Sequence, residues 1–201
     1  MNPNPKVWND FYKSKKILKY PDENVIRIVE SLSLPVKSFV LDFGCGSGRH
    51  IQFFLDKGFS NLYGMDFSIE AIQICKTLYP QVNFLLFESL PLSFQNDFFD
   101  LILCWGVLHY NDSEMRKFLL KEFYRILKPQ AFFVGTYRSK EDTHFASSEM
   151  KNSNIFYFDK EEVQRELENY FSNIQLGYSV RTPLGKLDQK IAHYFFICQK
   201  F

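Results

Sequence analysis

Charge of either sign is nearly cancelled in this chain: 24 Lys and Arg stand against 23 Asp and Glu, leaving a formal net charge of +1 over 201 residues. No overall field therefore draws the protein to nucleic acid or to an anionic membrane, and neither is signalled as a partner. Cysteine is sparse. Cys45, Cys75, Cys104 and Cys198 are widely separated, with no C-x-x-C pair and no Cys/His cluster at ligand spacing, so reduced thiols and no metal site are expected. Long apolar runs are missing as well; none reaches the ~20 residues of a membrane span, and the start, Met1-Asn2-Pro3-Asn4-Pro5-Lys6, lacks the apolar core of a signal peptide. The expected compartment is the cytoplasm. What is abundant is apolar surface, 46% of residues with 23 phenylalanines, enough for one sizeable core and one domain.

The order of elements follows from caps and periodicity. Asp22 is placed to cap a helix carrying Val25, Ile26, Ile28, Val29 and Leu32, which ends near Pro35. A strand, Phe39-Val40-Leu41, then runs through Asp42 and Phe43 into a glycine loop, and a helix from Arg49 to Lys57 is closed by Gly58. Asn61 to Asp66 reads as a second strand, and Ser68 caps a helix that stops at Tyr79-Pro80. The alternation repeats: strand Val82–Phe87, strand Asp100–Cys104, helix Ser113–Leu127 ended by Lys128-Pro129, strand Ala131–Tyr137. Such alternation requires an α/β fold, a mostly parallel sheet with helices on both faces. Beyond a polar stretch, Asp159 caps a helix to about Tyr170, and strands near 173–181 and 191–199 form a closing hairpin. The single domain then divides into an N-terminal helical segment (1–35), a core of alternating strands and helices (38–137), an insertion (138–158) and a C-terminal helix with hairpin (159–201).

A strand that empties into Gly44-x-Gly46-x-Gly48 and then a helix lets backbone approach a nucleotide-like ligand, because glycine removes the obstructing side chains. Asp66 ends the next strand, where a carboxylate can accept both hydroxyls of a ribose. Together they select an adenosine-containing cofactor. A dinucleotide loop reads G-x-G-x-x-G over a pyrophosphate, whereas Arg49 stands here at the third glycine's place. Asp42, just before the loop, is a poor neighbour for pyrophosphate and a good one for the ammonium and sulfonium charges of S-adenosylmethionine (SAM).

Val40-Leu-Asp-Phe-Gly-Cys-Gly-Ser-Gly-Arg49 resembles the first motif of the class I SAM-dependent methyltransferases, and Tyr63-Gly-Met-Asp-Phe-Ser68 resembles their second-strand motif. Phe99-Asp-Leu-Ile-Leu-Cys-Trp-Gly-Val-Leu-His-Tyr110 is similar to the fourth-strand segment, and Glu122-Phe-Tyr-Arg-Ile-Leu-Lys-Pro129 to the helix and turn that follow. The match runs in order from Ser38 to Tyr137. The resemblance implies seven strands ordered 3-2-1-4-5-7-6 with the last antiparallel, and SAM as cofactor. It also implies residue roles. Asp42 and the loop Gly44, Cys45, Gly46 and Gly48 would surround the methionine part, Asp66 the ribose, Phe67 the adenine ring, and Glu88 with Ser89 the adenine amine. Cys104 and Trp105 would border the cofactor from the fourth strand, and Trp8 and Tyr12 would close over it. Where such proteins carry Lys-Pro-Gly-Gly, this chain has Lys128-Pro-Gln-Ala131, which changes a turn.

On the acceptor side, His109 lies past the carboxyl end of the fourth strand, where open sheets place ligands, and is the candidate base. His144 falls in the insertion and is a candidate lid residue, while His50 and His193 read as structural. Cys45 reads as a small filler of the loop and Cys104 as strand packing, neither as a nucleophile. The lysines of 13–16 beside Trp8, Phe11 and Tyr12 could touch nucleic acid, but an amphipathic helix with solvated lysines is the simpler reading. The expected function is methyl transfer from SAM to an O or N atom of a small-molecule acceptor. The alternatives are a non-catalytic SAM-binding module or partner subunit, an RNA or protein methyltransferase, and an NAD-dependent oxidoreductase.

Overall fold

Side-chain caps set where the helices begin. In the computed structural model, which describes residues 5–14, 18–144 and 154–201, Asp22 accepts from the Asn24 amide at the head of α2 (Glu23–Ser31). Ser68 accepts from Ala71 at α4 (Ile69–Leu78), and Asp112 from Met115 at α5 (Ser113–Ile126). Asp159 and Glu162 form a full capping box at α6 (Lys160–Glu168). The other helices are α1 (Pro5–Lys13) and α3 (Arg49–Asp56). Lys15, Lys16 and residues 145–153 of the expected insertion lie outside the described residues.

Between the helices run β1 (Phe39–Phe43), β2 (Asn61–Asp66), β3 (Asn83–Leu86), β4 (Phe99–Cys104), β5 (Leu127–Arg138), β6 (Ser172–Arg181) and β7 (Ile191–Gln199). They form one sheet in the order β3-β2-β1-β4-β5-β7-β6. The first five pair in parallel, and β7 is antiparallel to both β5 and β6. The order reverses between β1 and β4, which opens a crevice at their carboxyl ends, the place where such sheets bind ligands.

One boundary departs from expectation. No separate turn divides α5 from the fifth strand: β5 starts at Leu127, paired with Phe99, and the register then jumps to Leu101 opposite Phe132. The residues between bulge outward, with Gln130 at φ 63° and its amide on the carbonyl of Lys200. Lys128-Pro-Gln-Ala131 is thus an edge-like bulge pinned by the C-terminal strand.

Strand alternation explains the paired phenylalanines. Successive side chains point to opposite faces, so Phe133 and Phe196 enter the core under α5 and α6 while Phe132 packs on the other side, with the α2 and α3 layer. The first core holds Phe43, Phe99, Phe123, Phe133, Tyr137 and Phe196, each no more than 1% exposed; the second holds Val25, Ile51, Phe54, Leu62 and Ile72. Phe123 joins α5 to the sheet, its ring 5.0 Å from Phe43 and 5.2 Å from Phe133. No helix among the described residues is long and apolar enough to cross a membrane. Removing the Phe123 ring leaves a cavity between helix and sheet, so Phe123→Ala is expected to lower unfolding free energy by about 3–5 kcal/mol, read from the urea midpoint.

Candidate active site

The glycine loop is held down by its own amides. Gly44 and Cys45 both donate to the carbonyl of Met65, at 2.7 and 3.0 Å, Gly48 donates to Cys45, and Gly46 donates to Asp66 Oδ2 at 2.8 Å. Gly44, Gly46 and Gly48 have φ of 78°, 54° and 84°, left-handed values that favour glycine. At Gly46 a side chain is excluded twice over, because a Cβ there would collide with the Tyr12 hydroxyl. Four of the loop's five amides, those of Gly44, Cys45, Gly46 and Gly48, are thus spent within the protein. The loop offers close approach and acceptors.

Asp66 accepts from Gly46 through Oδ2 and from the Ser68 amide through Oδ1, at 2.9 Å. The carboxylate keeps acceptor capacity for a ligand, and the side chain opens on a cavity of about 740 Å³. Burial pushes its pKa up while the amide bonds pull it down. Asp42 stands behind the loop, 1% exposed, and neither carboxylate oxygen has a hydrogen-bond partner among the described residues. Its nearest basic group is His50 Nδ1 at 3.9 Å, and burial holds that histidine's pKa well below its ordinary range, so it is neutral. Burial raises the Asp42 pKa to about 7, with Asp66 adding to the rise and Arg49 opposing it. An orphaned carboxylate beside a second acidic residue fits a ligand that brings positive charge and a diol, the electrostatic outline of SAM.

The cavity gathers many of the residues singled out in the sequence. Gly44, Cys45, Gly46, Asp66, Phe67 and Trp105 line it, and Trp8 and Tyr12 reach it from α1. Phe67 sits 4.7 Å from the Phe87 ring, and Trp8 meets Tyr110 edge-on at 5.0 Å. Asp42, Gly48 and the fully buried Cys104 lie behind the lining. Glu88 and Ser89 are exposed and outside it, because the loop after Phe87 is tied to α5: the Leu92 amide donates to Glu122, and Arg125 donates to the carbonyls of Leu92 and Phe94. His144 is also outside, with Nδ1 2.7 Å from Gln189 Oε1, so it ties the chain after β5 to the β6–β7 connection.

The expectation for His109 is corrected. It lies in a short 3-10 turn, Leu108–Tyr110, fully buried beneath Tyr110 (rings 4.5 Å apart) and away from the cavity lining. Burial, with Arg138 and His193 nearby, depresses its pKa far below the ordinary range, and neither ring nitrogen makes a hydrogen bond among the described residues. Tyr110, itself mostly buried, lines the cavity in the place its neighbour was expected to fill. Conversely His193, read as structural, lines the cavity, as do Arg49, His50, Arg138 and Arg181. Strand alternation groups Ser179 with Arg181 on β6 and His193 with Phe195 on β7, and the register between the strands then sets both pairs on the cavity face.

Strand order 3-2-1-4-5-7-6 with an antiparallel final strand, a glycine loop after β1 and an acid ending β2 are the architecture of the class I SAM-dependent methyltransferases, and the chain has that fold. Residues 40–130 match the family described as "Methyltransferase domain". Among curated proteins the chain is similar to a tRNA (carboxymethyluridine(34)-5-O)-methyltransferase of Arabidopsis thaliana, 31% identical over 66% of this chain and 31% of that protein. It is also similar to EEF1A lysine methyltransferase 2 of Homo sapiens, 29% identical over 56% of this chain and 52% of that one. The chain therefore spans between about a third and a half of these relatives. Among solved structures, a SAM-dependent methyltransferase of Methanosarcina mazei superposes with a TM-score of 0.69 at 22% identity, covering 86% of this chain and 97% of that one; this likeness is one of fold.

The buried carboxylate makes a pH-dependent signature. In the folded chain Asp42 holds its proton to about pH 7, whereas in the unfolded chain it loses it in the ordinary carboxylate range, so the native state binds the extra proton between those limits and loses stability as pH rises through them. Asp42→Asn is expected to be more stable than the parent at pH 8 and to lose that advantage near pH 4, measured by urea unfolding of the ligand-free protein.

Proposed function

We propose that this chain is a SAM-dependent methyltransferase acting on an O or N atom of a small acceptor. The observation that supports it most is the balance of donors and acceptors around the glycine loop: spent amides, an unpartnered Asp42 carboxylate behind them, and an Asp66 with lone pairs to spare. In this reading Asp42 balances the cofactor's positive charge, and Gly44 and Gly46 allow its methionine portion to lie against backbone. Asp66 accepts the ribose hydroxyls, and Phe67 packs beside the adenine. Bound SAM supplies a methyl group on a sulfonium, a leaving group already activated. The protein's work is then to align the acceptor and keep water out, which α1 performs by laying Trp8, Phe11 and Tyr12 over the cavity.

The cavity extends beyond the glycine loop to a wall of β5, β6 and β7 residues, space that a module binding only the cofactor would not need. A base is not required for every acceptor, so the burial of His109 leaves this reading intact. A nucleic-acid acceptor is the second reading, favoured by the tRNA-modifying relative; the near-neutral charge of the chain weighs against it.

Calorimetric titration with SAM, S-adenosylhomocysteine and NAD tests the proposal. Micromolar binding of the first two is expected, weakened at least about tenfold in Asp66→Ala, since hydrogen bonds to a charged group contribute about 1.5–3 kcal/mol each. Preference for NAD, or no binding of either SAM compound, would refute it.

A further inference from the structure

The wall of the cavity formed by the last three strands has a composition of its own. In antiparallel ladders, residues opposite one another share a face, and the registers Arg138 with His193, His193 with Ser179, Thr136 with Phe195 and Arg181 with Ile191 bring these side chains onto one surface. All of them line the same cavity that holds the glycine loop. Arg49, the first residue of α3, lines it too.

The charged groups on this lining, Asp22, Glu23 and Asp66 with Arg49, Arg138 and Arg181, are unevenly paired. Of the three acids that line the cavity, Glu23 pairs with Arg27 at 2.6 Å, Asp22 accepts from Asn24 as the cap of α2, and Asp66 takes the amides of Gly46 and Ser68 while keeping room for a ligand hydroxyl. Among the bases, Arg138 donates to Asp142 at 2.8 Å. Arg49 and Arg181 make no ion pair with a carboxylate among the described residues. Burial lowers the pKa of Arg49; the nearby charges of Asp22 and Asp42 raise it, and that of Arg181 lowers it. His193 feels the same field; burial, then Arg138, and also Arg181 bring its pKa to about 4, so it is neutral at physiological pH. Both guanidinium groups face the cavity without an ion pair of their own among the described residues, so an anion entering there gains from both.

Resting on the methyl-transfer reading above, we infer that Arg181 and Arg49, with Ser179 and His193 as hydrogen-bonding neighbours, receive an anionic oxygen group of the methyl acceptor, a carboxylate or a phosphate. Such a group would anchor the acceptor on the strand wall while the atom to be methylated reaches toward the glycine loop. It would also discriminate against neutral and cationic acceptors, which leave the two arginines uncompensated.

The chain's two tryptophans, Trp8 and Trp105, both line the cavity, so their fluorescence reports what enters it. Protein saturated with S-adenosylhomocysteine is titrated with sodium phosphate and, separately, sodium acetate, at ionic strength held constant with sodium chloride. A saturable change is expected in at least one arm, and the responding arm tells phosphate from carboxylate chemistry. Arg181→Ala, at the exposed end of β6, is expected to weaken that anion about tenfold, with Arg181→Lys intermediate because it keeps the charge without the planar fork, and with S-adenosylhomocysteine affinity unchanged. No saturable response to either anion in protein that does bind S-adenosylhomocysteine overturns this inference and leaves the methyl-transfer reading standing. Loss of S-adenosylhomocysteine affinity in Arg181→Ala also overturns it, by assigning the arginines to the cofactor's own carboxylate. Failure of the parent protein to bind S-adenosylhomocysteine overturns the methyl-transfer reading and this inference with it.

Discussion

The hydrogen bond from the Gly46 amide to Asp66, 2.8 Å long, joins the loop after β1 to the last residue of β2, and much of the site depends on it. It works beside the Gly44 and Cys45 amides, which both donate to Met65, so the turn leaving β1 is stitched to its neighbouring strand at consecutive positions. These bonds stabilise a backbone that three left-handed glycines make possible, and they leave the first turn of α3 facing the cavity. They also fix the chemical character of the loop. The acid that receives one of these amides is held in place for a further partner.

The strands on the other side of the crevice contribute differently. Their inward-facing residues on one side are Phe133, Tyr137 and Phe196, which complete the core under α5 and α6, while alternate positions of the same strands carry Thr136, Arg138, Phe195 and His193 into the cavity. Every second residue is therefore constrained by packing and every other one by what the cavity holds. A one-residue slip of β7 against β5 would exchange the two sets, burying His193 in the core and opening Phe196 to the crevice. The core residues are thus what guarantee that the polar ones face the site.

Local chemistry made much of this legible from sequence. Asp22, Ser68 and Asp159 act as caps because capping needs only residues within one turn of each other, and the glycine loop with Asp66 was readable because β1, the loop and β2 are neighbours in the chain. What was not legible depends on distant pairings. Whether His109 reaches the cavity depends on how the 3-10 turn before α5 packs against β5 and β7, and the early start of β5 depends on Lys200 meeting Gln130 from the far end of the chain. His193 resembles any half-buried histidine until its register with Arg138 and Ser179 is known.

Composition hid the most consequential feature for the same reason. A net charge of +1 describes a sum over 201 residues, and a binding cavity responds only to the few charges that face it and are not already engaged. Here Asp66 beside the glycine loop, with Asp42 behind it, suits a cationic cofactor, while Arg181 at the end of β6 stands on the facing strand wall, where the inferred anionic group would sit. Opposite charges separated along a cavity orient a pair of unlike ligands more firmly than a uniform field would, since each ligand is repelled from the other's place. Such an arrangement holds two reactants in a fixed relation, which is the part of methyl transfer that a protein must supply.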